Sequence, residues 1–113
     1  ALPVIEITTE SGRYDYESKY TPGASTHIVP AHLSPACTAA VQQLAVRAFS
    51  VCGCSGVARV DVMLSEDEVP YAIEVNSVPG MTETSLVPDA ARAIGLSFPA
   101  LCEKILSMAG YRR

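Results

Sequence analysis

The sequence predicts an α+β fold, with an antiparallel β-sheet packed against helices. Three observations carry this. Apolar residues recur at helical spacing between Ser34 and Gly53, two alternating segments flank an acidic turn between Val57 and Asn76, and a second amphipathic stretch runs from Phe98 to about Ala109. The sheet is built round the Val57–Asn76 hairpin and rests on the 35–52 helix and the C-terminal helix. With 49% apolar and 18% charged residues, the 113-residue chain can fill a core, so disorder is excluded as the main state.

The elements follow in order. Leu2 to Thr8 reads as a strand, broken by Glu10-Ser11-Gly12. Residues 13–34 show little periodicity but hold Tyr14, Tyr16 and Tyr20. A loop of this length is usually functional or disordered, and the aromatic content favours an ordered, functional one. Ser34-Pro35 supplies an N-cap followed by proline at the first helical position. Residues 37, 40, 41, 44, 45, 48 and 49 form the apolar stripe, Gln42, Gln43 and Arg47 the polar side, and Gly53 the stop. After the hairpin, Val78-Pro79-Gly80 is a tight turn. Pro88 to Ile94 is a short helix closed by Gly95, and Ser97 caps the last helix, with Leu101, Ile105 and Met108 on its apolar stripe.

Charge and composition exclude several functions. Eight Lys+Arg against 12 Asp+Glu leave a net charge of −4, so no basic excess exists for nucleic acid or an anionic membrane. No apolar run approaches the roughly 18 residues of a membrane span. Cys37, Cys52, Cys54 and Cys102 read as reduced, buried small hydrophobes of a cytoplasmic protein, since Cys52-x-Cys54 is too tight for a zinc knuckle. No signal peptide is visible, and a chain opening at Ala1 directly on a strand is expected to be cut from something longer.

The hairpin carries the chemistry. Side chains alternate along a strand, so Arg59 and Asp61 share one face while Val60 and Val62 share the other. With the turn centred between Asp67 and Glu68, Asp61 faces Glu74 and Arg59 faces Asn76, while Val60, Val62, Ile73 and Val75 meet opposite. Two carboxylates facing each other repel and need compensation. Asp61, Glu74 and the Asn76 carbonyl are hard oxygen donors of the kind Mg²⁺ or Mn²⁺ prefers. A solvated hairpin face with one Arg–Asp pair reads the same way. The next segment favours a site: Gly80 lets backbone N–H groups approach a ligand, and Ser85 opens a helix whose amides can hold a carboxylate. Ser85 as a plain N-cap is the alternative.

These residues carry a resemblance. Arg59-Val60-Asp61, Glu74-Val75-Asn76, Pro79-Gly80-Met81-Thr82-x-x-Ser85-Leu86 and Tyr14-Asp15-Tyr16-Glu17-Ser18-Lys19-Tyr20 resemble, in order, the C-terminal part of D-alanine–D-alanine ligases of the ATP-grasp superfamily. The resemblance implies the C-terminal half of an ATP-grasp fold, with 10–34 an active-site loop and with the N-terminal domain and first ATP-grasp half absent. It implies ATP-dependent joining of two D-alanines through an acyl phosphate, for peptidoglycan synthesis, by a cytoplasmic enzyme that is a homodimer at full length. Asp61, Glu74 and Asn76 would bind two Mg²⁺ or Mn²⁺ ions, and ATP would be co-substrate. Arg59 would stabilise the transferring phosphoryl group and the tetrahedral oxyanion, to which the Gly80 N–H would also donate. Ser85 and the Leu86 amide would hold the second D-alanine's carboxylate. Lys19 would contact that carboxylate or the γ-phosphate, and Tyr20 would close over the site. The loop pattern is not kept in D-alanyl-D-lactate ligases, which favours a dipeptide product. Another ATP-grasp carboxylate–amine ligase, or a non-catalytic metal-binding fragment, is the alternative. His27 and His32 take no role beyond loop or packing. The isolated chain, lacking the nucleotide base site and donor site, is expected to be inactive.

Overall fold

A computed structural model describes residues 1–9 and 25–110. The elements are β1 (Glu6–Thr9), β2 (Ser25–Ile28), α1 (Pro35–Val51), β3 (Arg59–Leu64), β4 (Pro70–Asn76), α2 (Leu86–Ala93) and α3 (Phe98–Met108). The α+β class is as expected, but the described strands form two separate two-stranded antiparallel sheets, β1–β2 and β3–β4, instead of one.

The N-terminal strand is shorter than the Leu2–Thr8 expectation. Pro3 lacks a donor, and β1 extends only where β2 supplies a partner, from Glu6↔Ile28 to Thr9↔Ser25. β2 lies inside the segment read as loop 10–34; its four residues are too few to show an alternation. Two further bonds tie down the start of the chain: Ala31 N–H donates to the Val4 carbonyl (2.8 Å), and Gln42 Nε2 to the Leu2 carbonyl (3.0 Å). Gln42 is thus a tether and not part of the solvated face of α1.

The three helices are punctuated locally. Ser34 Oγ accepts from Cys37 N–H (3.1 Å) at the start of α1, and Ser97 Oγ from Ala100 N–H (3.3 Å) at the start of α3. Gly53 and Gly95 stand at φ +65° and +81°, just past α1 and α2. In each case the next residue's N–H reaches back to the last turn, Cys54 to Phe49 and Leu96 to Ala91, both at 3.0 Å. α2 starts at Leu86, two residues before the expected Pro88.

α1 packs on β3 and β4. Its expected stripe is the one that faces inward: Cys37 and Val41 are buried, and residues 40, 44, 45, 48 and 49 are partly covered. A second cluster joins α2 to α3 through Val87, Ala91 and Leu101, with Leu2, Val57, Met81, Leu96 and Ile105 around it. Met108, expected on the α3 stripe, is 43% exposed because it falls at the frayed last turn. Of the four free cysteines only Cys37 is buried; Cys52 is exposed beyond the end of α1, and Cys54 and Cys102 are half-buried.

The β3–β4 ladder has the expected register at its open end, with Arg59↔Asn76, Val60↔Val75 and Asp61↔Glu74. Nearer the turn it differs. The ladder shifts between Asp61 and Val62, so Val62 pairs with Ala72 and Ile73 is left as an extra residue, 58% exposed. Val62 and Ile73 therefore do not meet. The turn is also half a residue off the expected centre. Glu68 N–H donates to the Ser65 carbonyl (2.9 Å), Ser65 N–H to the Val69 carbonyl (3.0 Å), and Glu68 stands at φ +60°. This is a three-residue loop, a type I turn followed by a left-handed residue.

Candidate active site

The hairpin register brings Arg59, Asp61, Glu74 and Asn76 onto one face. Arg59 grips Asp61 with two parallel bonds, Nε to Oδ1 at 2.7 Å and Nη2 to Oδ2 at 3.0 Å. The same Nη2 lies 3.9 Å from Glu74 Oε1, and Asn76 Nδ2 donates to that oxygen at 3.1 Å. The guanidinium thus stands between the two carboxylates and supplies the compensation that their opposition requires. The Arg–Asp pair of the alternative reading is present, but the face is not simply solvated. The Arg59 and Asp61 side chains are 19% and 24% exposed, while Glu74 is open at 51%.

The donor set fits a hard divalent cation that brings most of its shell with it. Among the described residues no group of three or more His, Cys, Asp and Glu gathers as a metal cage. Two carboxylates and one amide leave several positions of a six-coordinate ion to water and phosphate oxygens, the usual arrangement for Mg²⁺ in phosphoryl transfer.

The turn after β4 brings Gly80, Thr82 and Ser85 together. Ser85 occupies the N-cap position of α2 without a side-chain capping bond. Its Oγ turns back instead, accepting from Thr82 N–H at 3.0 Å and lying 2.7 Å from Thr82 Oγ1. This weakens the plain N-cap reading, because the hydroxyl is held by the Pro79–Thr82 turn and not by the helix. The T-x-x-S spacing was visible in the sequence and was the available signal for this contact. Gly80 is needed for the approach: a Cβ there would meet Ser85 Oγ at 3.0 Å and Ser85 Cβ at 3.5 Å. Leu86 is buried, so what it offers a ligand is its backbone N–H at the helix start. Lys19 and Tyr20 lie outside the described residues.

His27, given no role from sequence, makes a long-range contact. Its Nδ1 lies 3.2 Å from Asp89 Oδ2 in α2, and a carboxylate only accepts, so Nδ1 carries the proton. Arg92 Nη1 donates to Asp89 Oδ1 (2.7 Å) and Nη2 to the Glu83 carbonyl (2.8 Å).

Comparison with known proteins matches residues 1–107 to the family described as D-ala D-ala ligase C-terminus. The D-alanine–D-alanine ligase of Methylacidiphilum infernorum is 54% identical over 112 residues, which cover 99% of this chain and 37% of that protein. That of Moorella thermoacetica is 56% identical over 108 residues, 96% of this chain and 35% of that protein. Among solved structures, the Bacillus anthracis D-alanine–D-alanine ligase complexed with ATP superposes with a TM-score of 0.78 at 28% identity, over 95% of this chain and 33% of that one. The VanG D-Ala:D-Ser ligase of Enterococcus faecalis gives 0.80 at 34% identity, over 95% and 31%. The chain spans about a third of the length of the relatives it matches.

Proposed function

The chain belongs to the family of D-alanine–D-alanine ligase C-termini, and from that premise we propose that it is the acceptor- and metal-binding part of a cytoplasmic ligase that makes D-alanyl-D-alanine for peptidoglycan. The observation that supports this most is the face of Arg59, Asp61, Glu74 and Asn76, set in one register and followed directly in the chain by the Gly80–Ser85 turn. In the reaction, the γ-phosphoryl group of ATP passes to the carboxylate of one D-alanine, giving an acyl phosphate and ADP. The amine of a second D-alanine attacks the acyl carbon, loses a proton, and inorganic phosphate leaves.

Asp61, Glu74 and Asn76 would hold two Mg²⁺ or Mn²⁺ ions, whose charge offsets that of the phosphates. Arg59, already held by Asp61, is presented at the edge of that face, where negative charge develops on the phosphoryl group and then on the tetrahedral oxyanion. The Gly80 N–H donates to the same oxyanion. Ser85 Oγ and the Leu86 N–H hold the carboxylate of the acceptor, so that its amine points to the acyl carbon. Lys19 would contact the acceptor carboxylate or the γ-phosphate, and Tyr20 would close over the site. The N-terminal domain and the first ATP-grasp half supply the donor and nucleotide base sites, and the full-length enzyme is a homodimer, a state that light scattering reads directly.

Phosphate release and dipeptide formation by the intact ligase, with ATP, Mg²⁺ and D-alanine, test the reading. D-Serine belongs in the assay as a competing acceptor, because the same fold serves a D-Ala:D-Ser ligase. Turnover that requires D-alanine and collapses in Asp61→Asn is expected. D-Alanine-independent turnover, or full activity in Asp61→Asn, would refute it. The 113-residue chain alone is expected to make no dipeptide, since alignment of both substrates would need the N-terminal domain and first ATP-grasp half as well.

A further inference from the structure

We propose that Asp89, Arg92 and His27 form a positioning relay that holds the Thr82–Ser85 turn through the Glu83 carbonyl, and so tunes acceptor affinity without touching substrate. This rests on the ligase reading above and adds residues to it. The chain of contacts is continuous. His27 sits on β2, the strand that directly follows residues 10–24, and bonds Asp89 on α2 at 3.2 Å. Asp89 uses its other oxygen for Arg92 Nη1, at 2.7 Å. Arg92 then reaches back past the helix start, and its Nη2 donates to the Glu83 carbonyl at 2.8 Å.

Glu83 lies between Thr82 and Ser85, the two residues whose mutual bonds aim the Ser85 hydroxyl. A fixed Glu83 carbonyl restrains the Glu83–Thr84 peptide plane, which lies between Thr82 and Ser85. Arg92 can hold that carbonyl and Asp89 together because the guanidinium is a planar fork. A lysine's single ammonium would hold one of them well and the other poorly. The relay is half exposed, with Arg92 at 55% and Asp89 at 20%. Pairs of that kind add little to global stability, so the effect is expected in placement of the turn.

The test is steady-state kinetics of the intact ligase over a wide D-alanine range, which resolves one Michaelis constant for the donor and one for the acceptor. Ser85→Ala identifies the acceptor constant as the one it raises. Arg92→Ala is expected to raise that same constant roughly 3- to 10-fold, with kcat and the constants for ATP and donor within about 2-fold. Arg92→Lys restores part of the loss. His27→Ala shifts the same constant less, and adds nothing in an Asp89→Ala background because the relay is already broken. Should Arg92→Ala fail to fold, Arg92→Lys and His27→Ala carry the same readout. A lowered thermal midpoint with the acceptor constant unmoved would overturn the relay while leaving the ligase reading intact. If Ser85→Ala moves neither constant, the acceptor-site reading falls and the relay with it.

Discussion

Replacing Gly80 by alanine tests how closely the turn and the acceptor serine are matched. Gly80 does not have a positive φ, so the backbone accepts alanine, and a small gain of about 0.4–1 kcal/mol is expected from a less flexible unfolded chain. Against this, the new methyl would sit 3.0 Å from Ser85 Oγ, closer than side chains normally pack. The hydroxyl is the part that can give. By rotating it abandons Thr82 N–H at 3.0 Å and Thr82 Oγ1 at 2.7 Å. Two such bonds are worth about 0.5–1.5 kcal/mol each, so losing both costs about 1–3 kcal/mol and the net effect is a destabilisation of up to roughly 2.5 kcal/mol. If Ser85 has the proposed acceptor role, the effect also reaches the acceptor, because a displaced hydroxyl no longer points where the carboxylate would bind. A loss of about 1.4 kcal/mol raises the acceptor Michaelis constant roughly tenfold. The assay is a double-mutant cycle in the intact ligase with Gly80→Ala, Ser85→Ala and both. Without the hydroxyl, the methyl meets only Ser85 Cβ at an ordinary 3.5 Å. The double variant should therefore be no worse than Ser85→Ala alone. An equal penalty from Gly80→Ala in both backgrounds would show that the clash with Ser85 is not what makes glycine necessary.

Asp61→Asn and Glu74→Gln should each cost the intact ligase several kcal/mol in the phosphoryl-transfer step, roughly 100-fold or more in kcat, with weakened Mn²⁺ binding by electron spin resonance. Ser34→Ala removes a formed cap and should destabilise by about 0.5–2 kcal/mol in denaturant unfolding. Ser85→Ala, where no capping bond exists, should instead cost what its two bonds to Thr82 are worth, about 1–3 kcal/mol. Leu101→Ala, at a position 4% exposed between α2 and α3, should cost about 2–5 kcal/mol, whereas Leu106→Ala, at 72% exposed, should stay within about 0.5 kcal/mol.

What the sequence reveals about this fold follows from which signals are local. The caps at Ser34 and Ser97 and the glycine stop at 53 act within one turn of chain, and they placed α1 and α3 closely. α2 began two residues early because Pro88 is tolerated in the first helical turn and so does not mark the start. β2 was missed because a four-residue strand shows itself only through its partner, and that partner lies across residues 10–24. The contact of His27 with Asp89, 62 positions apart, depends on how β2 docks on α2, which no periodicity records. The site face was legible because alternation on β3 and β4 fixes which side chains share a side. It was reached through a turn centre half a residue too late, an error that the ladder shift at Ile73 cancels.

That cancellation has a consequence for how the hairpin tolerates change in length. Extending the pairing of Leu64↔Pro70 and Val62↔Ala72 without interruption would set Ile73 opposite Asp61 and turn Glu74 to the other face of the ribbon. The extra residue acts as a phase slip: it lets the two ends of one ribbon keep different counts. A one-residue change near Glu66–Glu68 can then be absorbed by losing or moving the slip, with Glu74 left across from Asp61. Deleting Ile73 itself would remove the kink and its added twist while keeping the carboxylates opposed. The geometry that handles charge is in this way insulated from the tip that faces solvent.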